Sequence, residues 1–263
     1  MSASKFSLKG KVAVVTGGAS GIGNAIVKAF LDADIAGVVL VDLGGPQLLA
    51  AWDAIVVADA SDTIGSRLHV VALDVTESDA AQHYVDRALM KFGRLDISVQ
   101  CAGICPPAKS ILETSEEEFD QVMDVNVKGV WMGCKASLKG MLDSPEGGKG
   151  GSIILVSSQI GLDGMPGLTP YTTSKFALRG LMASLAQEVG PYGIRCNSVN
   201  PGPINTPLYA DFPDKEAHEA RSNLRRAGEA EEIANSVVYL CSEAGAFCSG
   251  TTLKVDGGWS KWC

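Results

Sequence analysis

Strand patterns and helix patterns alternate about seven times along this chain, and no other feature limits its possible folds as strongly. The first unit is an apolar run at 11–16, a glycine-rich turn at 17–23 and then apolar residues at helical spacing. Further apolar runs of strand length lie at 38–41, 68–73, 96–100, 152–156, 194–200 and 251–255. Strands that are apolar throughout are typical of a parallel sheet whose two faces are covered by helices. The sequence therefore predicts an α/β fold, a doubly wound parallel sheet of about seven strands in a single domain over 1–263.

Capping patterns mark the starts and ends of several helices. Thr76 with Asp79 predicts a helix start, and Gly93 fits the position just after the end of that helix. Ser115 and Glu118 form the pattern of a capping box. The helices predicted after the first one span 48–60, 76–91, 115–142, 171–189 and 229–241.

Length, charge and residue usage argue against several classes of protein. The 263 residues, 46% of them hydrophobic, suffice for one large globular domain. A formal net charge of −8 without a Lys/Arg block argues against nucleic-acid binding. No apolar run could span a bilayer and residues 1–11 lack a secretory core, so we expect no membrane association and a cytoplasmic location. The seven cysteines and three histidines lack zinc-site or disulfide spacing, which predicts reduced thiols and no metal site.

The glycine-rich turn and an acid after the second strand together predict a dinucleotide site. Such a turn lets the backbone approach a pyrophosphate, and the start of the following helix offers free N–H groups. Asp42 lies about twenty residues further on, where a carboxylate binds a ribose 2′-hydroxyl and repels a 2′-phosphate. Neither Ala19 nor Leu43 supplies the Arg or Lys that NADP requires, so we predict NAD. The alternative for Asp42 is a strand-end acid that caps the turn at 44–46.

Tyr171 and Lys175 are four residues apart, a spacing that places both side chains on one helix face. An ammonium within about 4–6 Å favours the phenolate and lowers the pKa of a tyrosine, which makes the pair a candidate acid/base unit. Ser158 would add a hydroxyl that orients a substrate oxygen in the same pocket. The alternative is a half-exposed tyrosine beside a surface lysine.

These separate signals fall on one edge of the predicted sheet. In a doubly wound sheet, ligands bind beyond the carboxyl ends of the strands. The segments that directly follow a predicted strand are 17–23, Asp42, Asp74, Ala102-Gly103, Ser158 and Pro201-Gly202. Their shared location predicts one site built from all of them.

In combination the motifs resemble the short-chain dehydrogenase/reductase family, specifically its single-domain NAD(P) oxidoreductases. The resemblance rests on Thr-Gly-Gly-Ala-Ser-Gly-Ile-Gly at 16–23, Asp74-Val75, Val125-Asn126-Val127, Ser158, Tyr171 with Lys175, and Pro201-Gly202 before Thr206. It implies a Rossmann-type fold whose NAD contacts are Gly17, Ala19, Ser20, Gly21, Ile22, Gly23, Asp42, Asp74, Val75, Ala102, Gly103, Tyr171, Lys175, Pro201, Gly202, Ile204 and Thr206.

The same resemblance implies a catalytic tetrad of Asn126, Ser158, Tyr171 and Lys175. Tyr171 would be the acid/base, and Ser158 would orient the substrate oxygen. Lys175 would lower the tyrosine pKa and hold the nicotinamide ribose, while Asn126 would place a water that relays the proton. One departure is Cys101, which stands where the family usually has Asn. Because a thiol is a weak hydrogen-bonding group, we expect a small loss of local stability there and no loss of function.

Apolar side chains dominate the segments expected around the substrate. They are Ile104, Cys105, Pro106, Gln159, Leu162, Met165, Ile204, Leu208, Tyr209 and Phe212. We predict substrate contacts from Ser158, Gln159, Tyr171, Leu208 and Tyr209, and a mobile lid near 203–226. A small-molecule secondary alcohol or ketone on a lipophilic or cyclic skeleton fits this composition, with oxidation as the expected direction. The alternative for most of these side chains is ordinary core packing.

Two other functions stay open at this point. A catalytically silent NAD-binding regulator usually lacks one of the tetrad residues, and all four are present here. An epimerase or dehydratase of the related extended family also has Tyr and Lys four apart. Those chains, however, carry a separate C-terminal substrate domain, and the glycine spacing here is GxxxGxG.

The resemblance also implies a homotetramer or a homodimer. The helices at 117–142 and 172–189 would pair with their copies, and a neighbouring subunit would bury Trp259 and Trp262. The alternative is a monomer with an exposed aromatic tail.

Overall fold

Seven parallel strands form one sheet in the computed structural model, which describes residues 4–56, 64–210, 212 and 214–259. The strands are β1 Val12–Thr16, β2 Gly37–Asp42, β3 Leu68–Ala72, β4 Ile97–Gln100, β5 Ser152–Val156, β6 Arg195–Pro201 and β7 Thr252–Val255. Their order is β3-β2-β1-β4-β5-β6-β7, and every neighbouring pair is parallel. The strand order reverses between β1 and β4, so the predicted doubly wound fold is confirmed and a ligand crevice is expected at that point.

Helices cover both faces of this sheet. They are α1 Gly21–Asp32, α2 Pro46–Val56, α3 Ile64–Arg67, α4 Ala80–Phe92, α5 Glu116–Met123, α6 Val130–Leu142, α7 Thr169–Val189, α8 Pro207–Ala210, α9 Lys215–Glu219 and α10 Ala230–Cys241. On one face, Phe30 of α1 and Ile233 of α10 belong to a core shared with β1 and β2. On the other, Val85, Val130 and Leu178 bring α4, α6 and α7 into a second core. The strands are apolar on both sides because both faces are buried.

Two predicted caps are confirmed by their hydrogen bonds and dihedral angles. Ser115 Oγ accepts the Glu118 N–H at 3.2 Å, and the Glu118 carboxylate accepts the Ser115 N–H at 3.1 Å. Gly93 follows α4 with a φ of 76°, the left-handed conformation that glycine adopts without strain.

Three helix boundaries differ from the predicted ones. Thr76 does not cap α4, because its hydroxyl and its N–H both bond Asp74 Oδ1. The helix predicted at 48–60 starts earlier, at Pro46, since proline suits a first helical turn, and its residues after Val56 lie outside the described part. A π-helical turn, Asp124–Gly129, interrupts the helix predicted at 115–142.

The expected burial of Trp259 by a second subunit is wrong, because its own chain already buries it. The Trp259 ring packs edge-on against His218 at 4.9 Å and lies 4.3 Å from the Arg221 guanidinium. Trp262, expected at the same interface, lies outside the described residues.

Two further observations concern cysteines and membrane crossing. The six cysteines in the described ranges are all free. Among the described helices, none has the length and apolar character that crossing a bilayer requires.

Candidate active site

A cleft of about 850 Å³ opens at the carboxyl ends of β1, β2, β4, β5 and β6. Every predicted cofactor-contacting residue lines it, and so do the predicted substrate contacts Ser158, Gln159, Leu208 and Tyr209. Asn126 is the tetrad member that does not line it. Three residues predicted to face the substrate also lie outside its lining: Pro106, Leu162 and Met165. The structure therefore brings the sequence signals together in one place, as their shared edge of the sheet predicts.

The glycine-rich turn suits a pyrophosphate because three of its positions, Gly17, Gly21 and Gly23, disfavour any side chain. Gly17 has a φ of 67° and Gly21 a φ of 48°, both in the left-handed region that favours glycine. A Cβ on Gly23 would lie 2.0 Å from the Gly17 carbonyl oxygen, so only glycine fits there. Helix α1 begins at Gly21, so the free N–H groups of its first turn lie at the cleft. These groups and the bare backbone match the needs of a bound dinucleotide.

We expect Gly23→Ala to weaken NADH binding at least about tenfold, equivalent to about 1.4 kcal/mol. The added methyl would overlap the Gly17 carbonyl and force the turn out of its conformation. Fluorescence titration with NADH measures the Kd. Gly65→Ala is the control, because a Cβ there meets nothing within 4 Å. An unchanged Kd for Gly23→Ala would show that the turn does not hold the cofactor.

Asp42 ends β2 and presents its carboxylate at the cleft. Its Oδ2 accepts the Ala19 N–H at 2.8 Å, and its Oδ1 accepts the Leu43 N–H at 2.8 Å. Asp42 therefore bonds the glycine-rich turn and its own neighbour, and the predicted alternative, a cap of the turn at 44–46, is not what these two bonds form. Each carboxylate oxygen keeps a second lone pair for a ribose hydroxyl. Among the described residues that line the cleft, Lys175 is the one Lys or Arg. The region around Asp42 thus offers no cation for a 2′-phosphate.

Tyr171 and Lys175 both lie buried on the cleft side of α7, as the four-residue spacing predicts. The Lys175 ammonium lies 5.5 Å from the centre of the Tyr171 ring. It donates a hydrogen bond to the Val156 carbonyl at 3.0 Å, at the end of β5. The pair therefore meets within one small volume, with the lysine anchored on the sheet.

The predicted lowering of the Tyr171 pKa is wrong, because burial dominates at this position. Burial raises the pKa of Tyr171, the Cys105 thiol adds to the rise, and the Ser158 hydroxyl offsets part of it. Burial also lowers the pKa of Lys175 to about 8, against opposing contributions from Cys101 and Cys105. Desolvation penalises the charged form of each group. The result is a neutral tyrosine beside a lysine that is mostly protonated at neutral pH.

Asn126 lies fully buried in the π-helical turn and ties two parts of the site together. Its Nδ2 donates to the Ile104 carbonyl at 2.9 Å and to the Ser174 hydroxyl at 3.1 Å. Its Oδ1 accepts the Ile104 N–H at 2.8 Å, and Ser174 in turn donates to the Tyr171 carbonyl at 2.7 Å. Both amide hydrogens are therefore in use, so a relay water would have to be bound by an oxygen of Asn126, and its placement stays a prediction. In this structure the side chain positions Ile104 and Ser174.

Ser158 is held by bonds that join β5 to its neighbours. The Ser158 hydroxyl accepts the Ile160 N–H at 3.2 Å, and its carbonyl accepts Asn200 Nδ2 at 2.8 Å. The preceding Ser157 donates to the Lys175 carbonyl at 3.0 Å. These links fix the end of β5 against β6 and α7, so the hydroxyl of Ser158 lies in the same cleft as the tyrosine.

Cys101 keeps the backbone contact at the end of β4 without a side-chain amide. The Thr16 hydroxyl accepts the Cys101 N–H at 3.0 Å and the Ala102 N–H at 3.1 Å. Burial raises the pKa of the Cys101 thiol to about 12, so it remains a neutral packing group. The link between the ends of β1 and β4 thus depends on Thr16.

Sequence reasoning missed three residues of the site. His218, which belongs to none of the motifs read from the sequence, is only 8% exposed and lines the cleft. Ser174 and Asn200 are buried and hold Asn126 and Ser158. Both adjoin motifs, Ser174 between the paired Tyr and Lys and Asn200 directly before the Pro-Gly turn. That adjacency is a signal that could have identified them.

Comparison with known proteins identifies the family. Residues 17–260 match a family model described as enoyl-(acyl carrier protein) reductase. A short-chain type dehydrogenase/reductase from Mycobacterium marinum superposes with a TM-score of 0.88 at 32% identity, covering 97% of this chain and 98% of that chain. The chain belongs to the short-chain dehydrogenase/reductase family. As a member of it, the chain is an oxidoreductase that uses a cofactor of the NAD(P) type.

Two curated members of the short-chain dehydrogenase/reductase family are similar over nearly the whole chain. The 3beta-hydroxysteroid dehydrogenase 2 of Eggerthella lenta is 36% identical over 261 residues, covering 97% of this chain and 96% of that protein. The 3-alpha-(or 20-beta)-hydroxysteroid dehydrogenase of Mycobacterium bovis is 40% identical over 251 residues, covering 95% and 90%. Among similar solved structures, complexes with NADH and with NADP both occur. The choice between the two cofactors therefore depends on this chain's own residues.

Proposed function

We propose that this protein is an NAD-preferring oxidoreductase that interconverts a secondary alcohol and a ketone on a lipophilic, cyclic substrate. The observation that carries the proposal is the meeting of Tyr171, Lys175 and Ser158 in one cleft. The same cleft contains the glycine-rich turn and the Asp42 carboxylate. One cleft thus contains both the groups that can transfer a proton and the groups that suit a dinucleotide, and alcohol oxidation requires both.

The residues present fit the cofactor along the length of the cleft. The glycine-rich turn would hold the pyrophosphate, Asp42 the adenosine ribose, and Lys175 the nicotinamide ribose. Asp74 and Val75 line the cleft where the family resemblance implies the adenine contact. When bound, the nicotinamide supplies or accepts the hydride, and the protein contributes alignment and the proton.

Tyr171 would act as both acid and base. In reduction the neutral phenol gives its proton to the ketone oxygen, and in oxidation the phenolate takes the hydroxyl proton. Because burial raises the pKa of Tyr171, the neutral acid form is the stable one, and this form is the proton donor that ketone reduction requires. Lys175, with a pKa of about 8, is mostly protonated at neutral pH and would hold the nicotinamide ribose. Ser158 would hold the substrate oxygen beside Tyr171.

The apolar end of the cleft supports a lipophilic substrate. Ile160, Leu168 and Tyr171 form a small buried cluster, and Cys105 and Phe212 pack against it. The hydroxysteroid dehydrogenases similar to this chain are named for rigid polycyclic alcohols, and a steroid-like secondary alcohol is compatible with these surroundings. The segment near 203–226 contains the short helices α8 and α9, which would form a lid over the substrate. Positions 211 and 213 of this segment lie outside the described residues.

A panel of secondary alcohols tests this proposal most cheaply. The panel would contain cyclohexanols, decalin alcohols and 3-hydroxysteroids, each offered with NAD and with NADP. Formation of reduced cofactor is followed by its absorbance. We expect turnover of at least one polycyclic alcohol with NAD. A panel on which neither cofactor is reduced, with the ketones unreduced in the reverse assay, would favour the silent regulator.

The cofactor preference should depend on the charge of Asp42. We expect Asp42→Asn to raise the ratio of NADP to NAD efficiency at least about tenfold, because the repulsion of a 2′-phosphate disappears. Asn keeps one oxygen, which can accept the Ala19 N–H, while the bond from the Leu43 N–H is lost because an amide NH2 cannot accept it. Steady-state kcat/KM for both cofactors measures the ratio.

Asp79→Asn is the matched control, since Asp79 is exposed and lies outside the cleft. It removes the same charge and should leave the ratio unchanged. A wild-type enzyme that already prefers NADP would contradict the role given to Asp42.

The proposal includes a homotetramer or homodimer in the cytoplasm. Trp131 on α6 and Phe176 on α7 are 50% and 40% exposed, which suits helices that pair with their copies in a second subunit. The described cysteines are all free thiols, which suits the reducing environment of the cytoplasm. Sedimentation equilibrium should give a multiple of the 27.4 kDa chain mass, and a monomer mass would contradict the assembly.

A further inference from the structure

The lid end of the cleft contains a buried histidine that the proposed reaction does not use. His218 in α9 is 8% exposed and lines the cleft. Its ring lies 4.5 Å from the Phe212 ring and 4.9 Å from the Trp259 ring, measured between centroids. Its surroundings are therefore mainly aromatic. No hydrogen bond joins its ring nitrogens to another residue within the described ranges.

The two ring nitrogens of His218 can each form a hydrogen bond, and no described residue of the protein bonds them. The ring nitrogens of His218 are not among the fully buried unpartnered atoms of the described residues, so they retain access to the open space of the cleft. A ligand oxygen placed there would form a hydrogen bond that no protein group makes. Burial lowers the pKa of His218, Arg221 lowers it further and Asp214 opposes them. The ring is therefore neutral at physiological pH and offers one donor and one acceptor.

Tyr209 gives a second, independent observation at the same location. Its ring stacks on Phe212 with centroids 5.5 Å apart, and it also lines the cleft. The Tyr209 hydroxyl is buried and has no hydrogen-bond partner in the described part of the chain. Two side chains with unpartnered polar atoms thus belong to one aromatic cluster, formed by Tyr209, Phe212, His218 and Trp259.

Phe212 connects this aromatic cluster to the reacting end of the cleft. It packs against the buried cluster that contains Ile160 and Tyr171, and its ring also contacts those of Tyr209 and His218. Phe212 therefore lies between the cluster of the proton-transfer tyrosine and the unpartnered imidazole. A rigid apolar ligand lying along Phe212 would have one end at Tyr171 and the other at His218.

We propose that His218 hydrogen-bonds a second oxygen on the substrate, a carbonyl or hydroxyl at the end remote from the reacting carbinol. The inference rests on the proposed function and narrows its substrate class. The preferred substrate is a rigid, lipophilic compound with oxygen at both ends of an apolar skeleton. The Tyr209 hydroxyl is the second group of the cluster able to take part in this contact.

Ligand pairs that differ only in the remote oxygen test the proposal by binding alone. One pair is 5α-androstane-3,17-dione against 5α-androstan-3-one, and a shorter pair is decalin-2,6-dione against 2-decalone. Calorimetry with NAD-saturated enzyme gives a Kd for each ketone, because the oxidised cofactor has no hydride to transfer and the ligand stays unreacted. For each pair we take the ratio of the two Kd values, monoketone over dione. Comparing this ratio between variants cancels the effect of ligand hydrophobicity, which is the same for every variant. We expect the ratio to favour the dione about tenfold more in wild type than in His218→Phe, the effect of one buried hydrogen bond.

Two variants keep the test independent of folding and of general binding. His218→Gln retains a donor and an acceptor, so it should keep part of the preference even if His218→Phe folds poorly. His83→Phe is the matched control, because His83 is exposed on α4 and lies outside the cleft. It should show the wild-type ratio.

The outcomes separate this proposal from the proposed reaction. If each ligand pair gives the same ratio of Kd values in wild type, in His218→Phe and in His218→Gln, the assignment of His218 is wrong. A ratio that falls in His218→Phe while no alcohol is oxidised would contradict the reaction and support the remote contact. If alcohols are oxidised and the Kd ratio does not change in the His218 variants, the proposed reaction is supported and the remote contact is contradicted.

Discussion

Tyr171→Phe is expected to lower kcat by at least about a hundredfold, the low end of general acid/base contributions. Phenylalanine keeps the ring that packs with Ile160 and Leu168, so the fold and the cleft should persist. The variant loses only the hydroxyl that gives or takes the proton. Steady-state rates with NAD and with NADH, on the best substrate of the alcohol panel, measure the loss in both directions.

Tyr192→Phe is the control for that variant, because Tyr192 is 50% exposed and does not line the cleft. It should retain wild-type rates. The Kd for NADH should also be unchanged in Tyr171→Phe, which separates a lost proton from a lost cofactor. Retention of most of the activity by Tyr171→Phe would exclude this residue as the proton donor.

Lys175→Met is expected to abolish most activity and at the same time to stabilise the chain. Burial lowers the pKa of Lys175 from 10.5 to about 8, which corresponds to about 3 kcal/mol of unfavourable desolvation at neutral pH. Loss of its hydrogen bond to the Val156 carbonyl offsets about 1 kcal/mol of this gain. We therefore expect the free energy of unfolding to rise by about 2 kcal/mol at pH 7. Urea unfolding measures it.

The pH dependence of this stabilisation distinguishes desolvation from better packing. The ammonium is disfavoured only in the folded chain, so the penalty is full below the folded pKa of about 8. It disappears as the pH rises from about 8 towards 10.5, because the folded lysine then releases its proton. The advantage of Lys175→Met should shrink accordingly between pH 7 and pH 9.5. Lys28→Met, at an exposed position of α1, should show no such trend, and a pH-independent difference would contradict the desolvation account.

The fold was predictable because its signals are local and repeat along the chain. Apolar runs separated by capped helices predict a parallel sheet, and the observed order of seven strands confirms it. Much of the candidate site was predictable too, because most of its motifs directly follow a strand. Asp42 and Ser158 come together because the carboxyl ends of the strands meet at one edge, and Tyr171 reaches the same cleft from α7.

The features that sequence reasoning missed depend on burial and on contacts distant in the chain. The sign of the Tyr171 pKa change follows from desolvation, which no spacing rule reports. Asn126 lies in a π-helical turn, and its side chain bonds Ile104 and Ser174, contacts that no local sequence pattern reports. His218 enters the site through packing against Trp259, a partner far away in sequence. Local patterns cannot contain such information.

A crystal structure with NADH and an unreactive ketone analogue tests the central claim most directly. We expect the adenosine ribose at Asp42, the nicotinamide beside Tyr171, and the ketone oxygen within hydrogen-bond reach of both Tyr171 and Ser158. The Lys175 ammonium should contact the nicotinamide ribose. A dinucleotide bound elsewhere, or a ketone oxygen directed away from the tyrosine hydroxyl, would contradict the account.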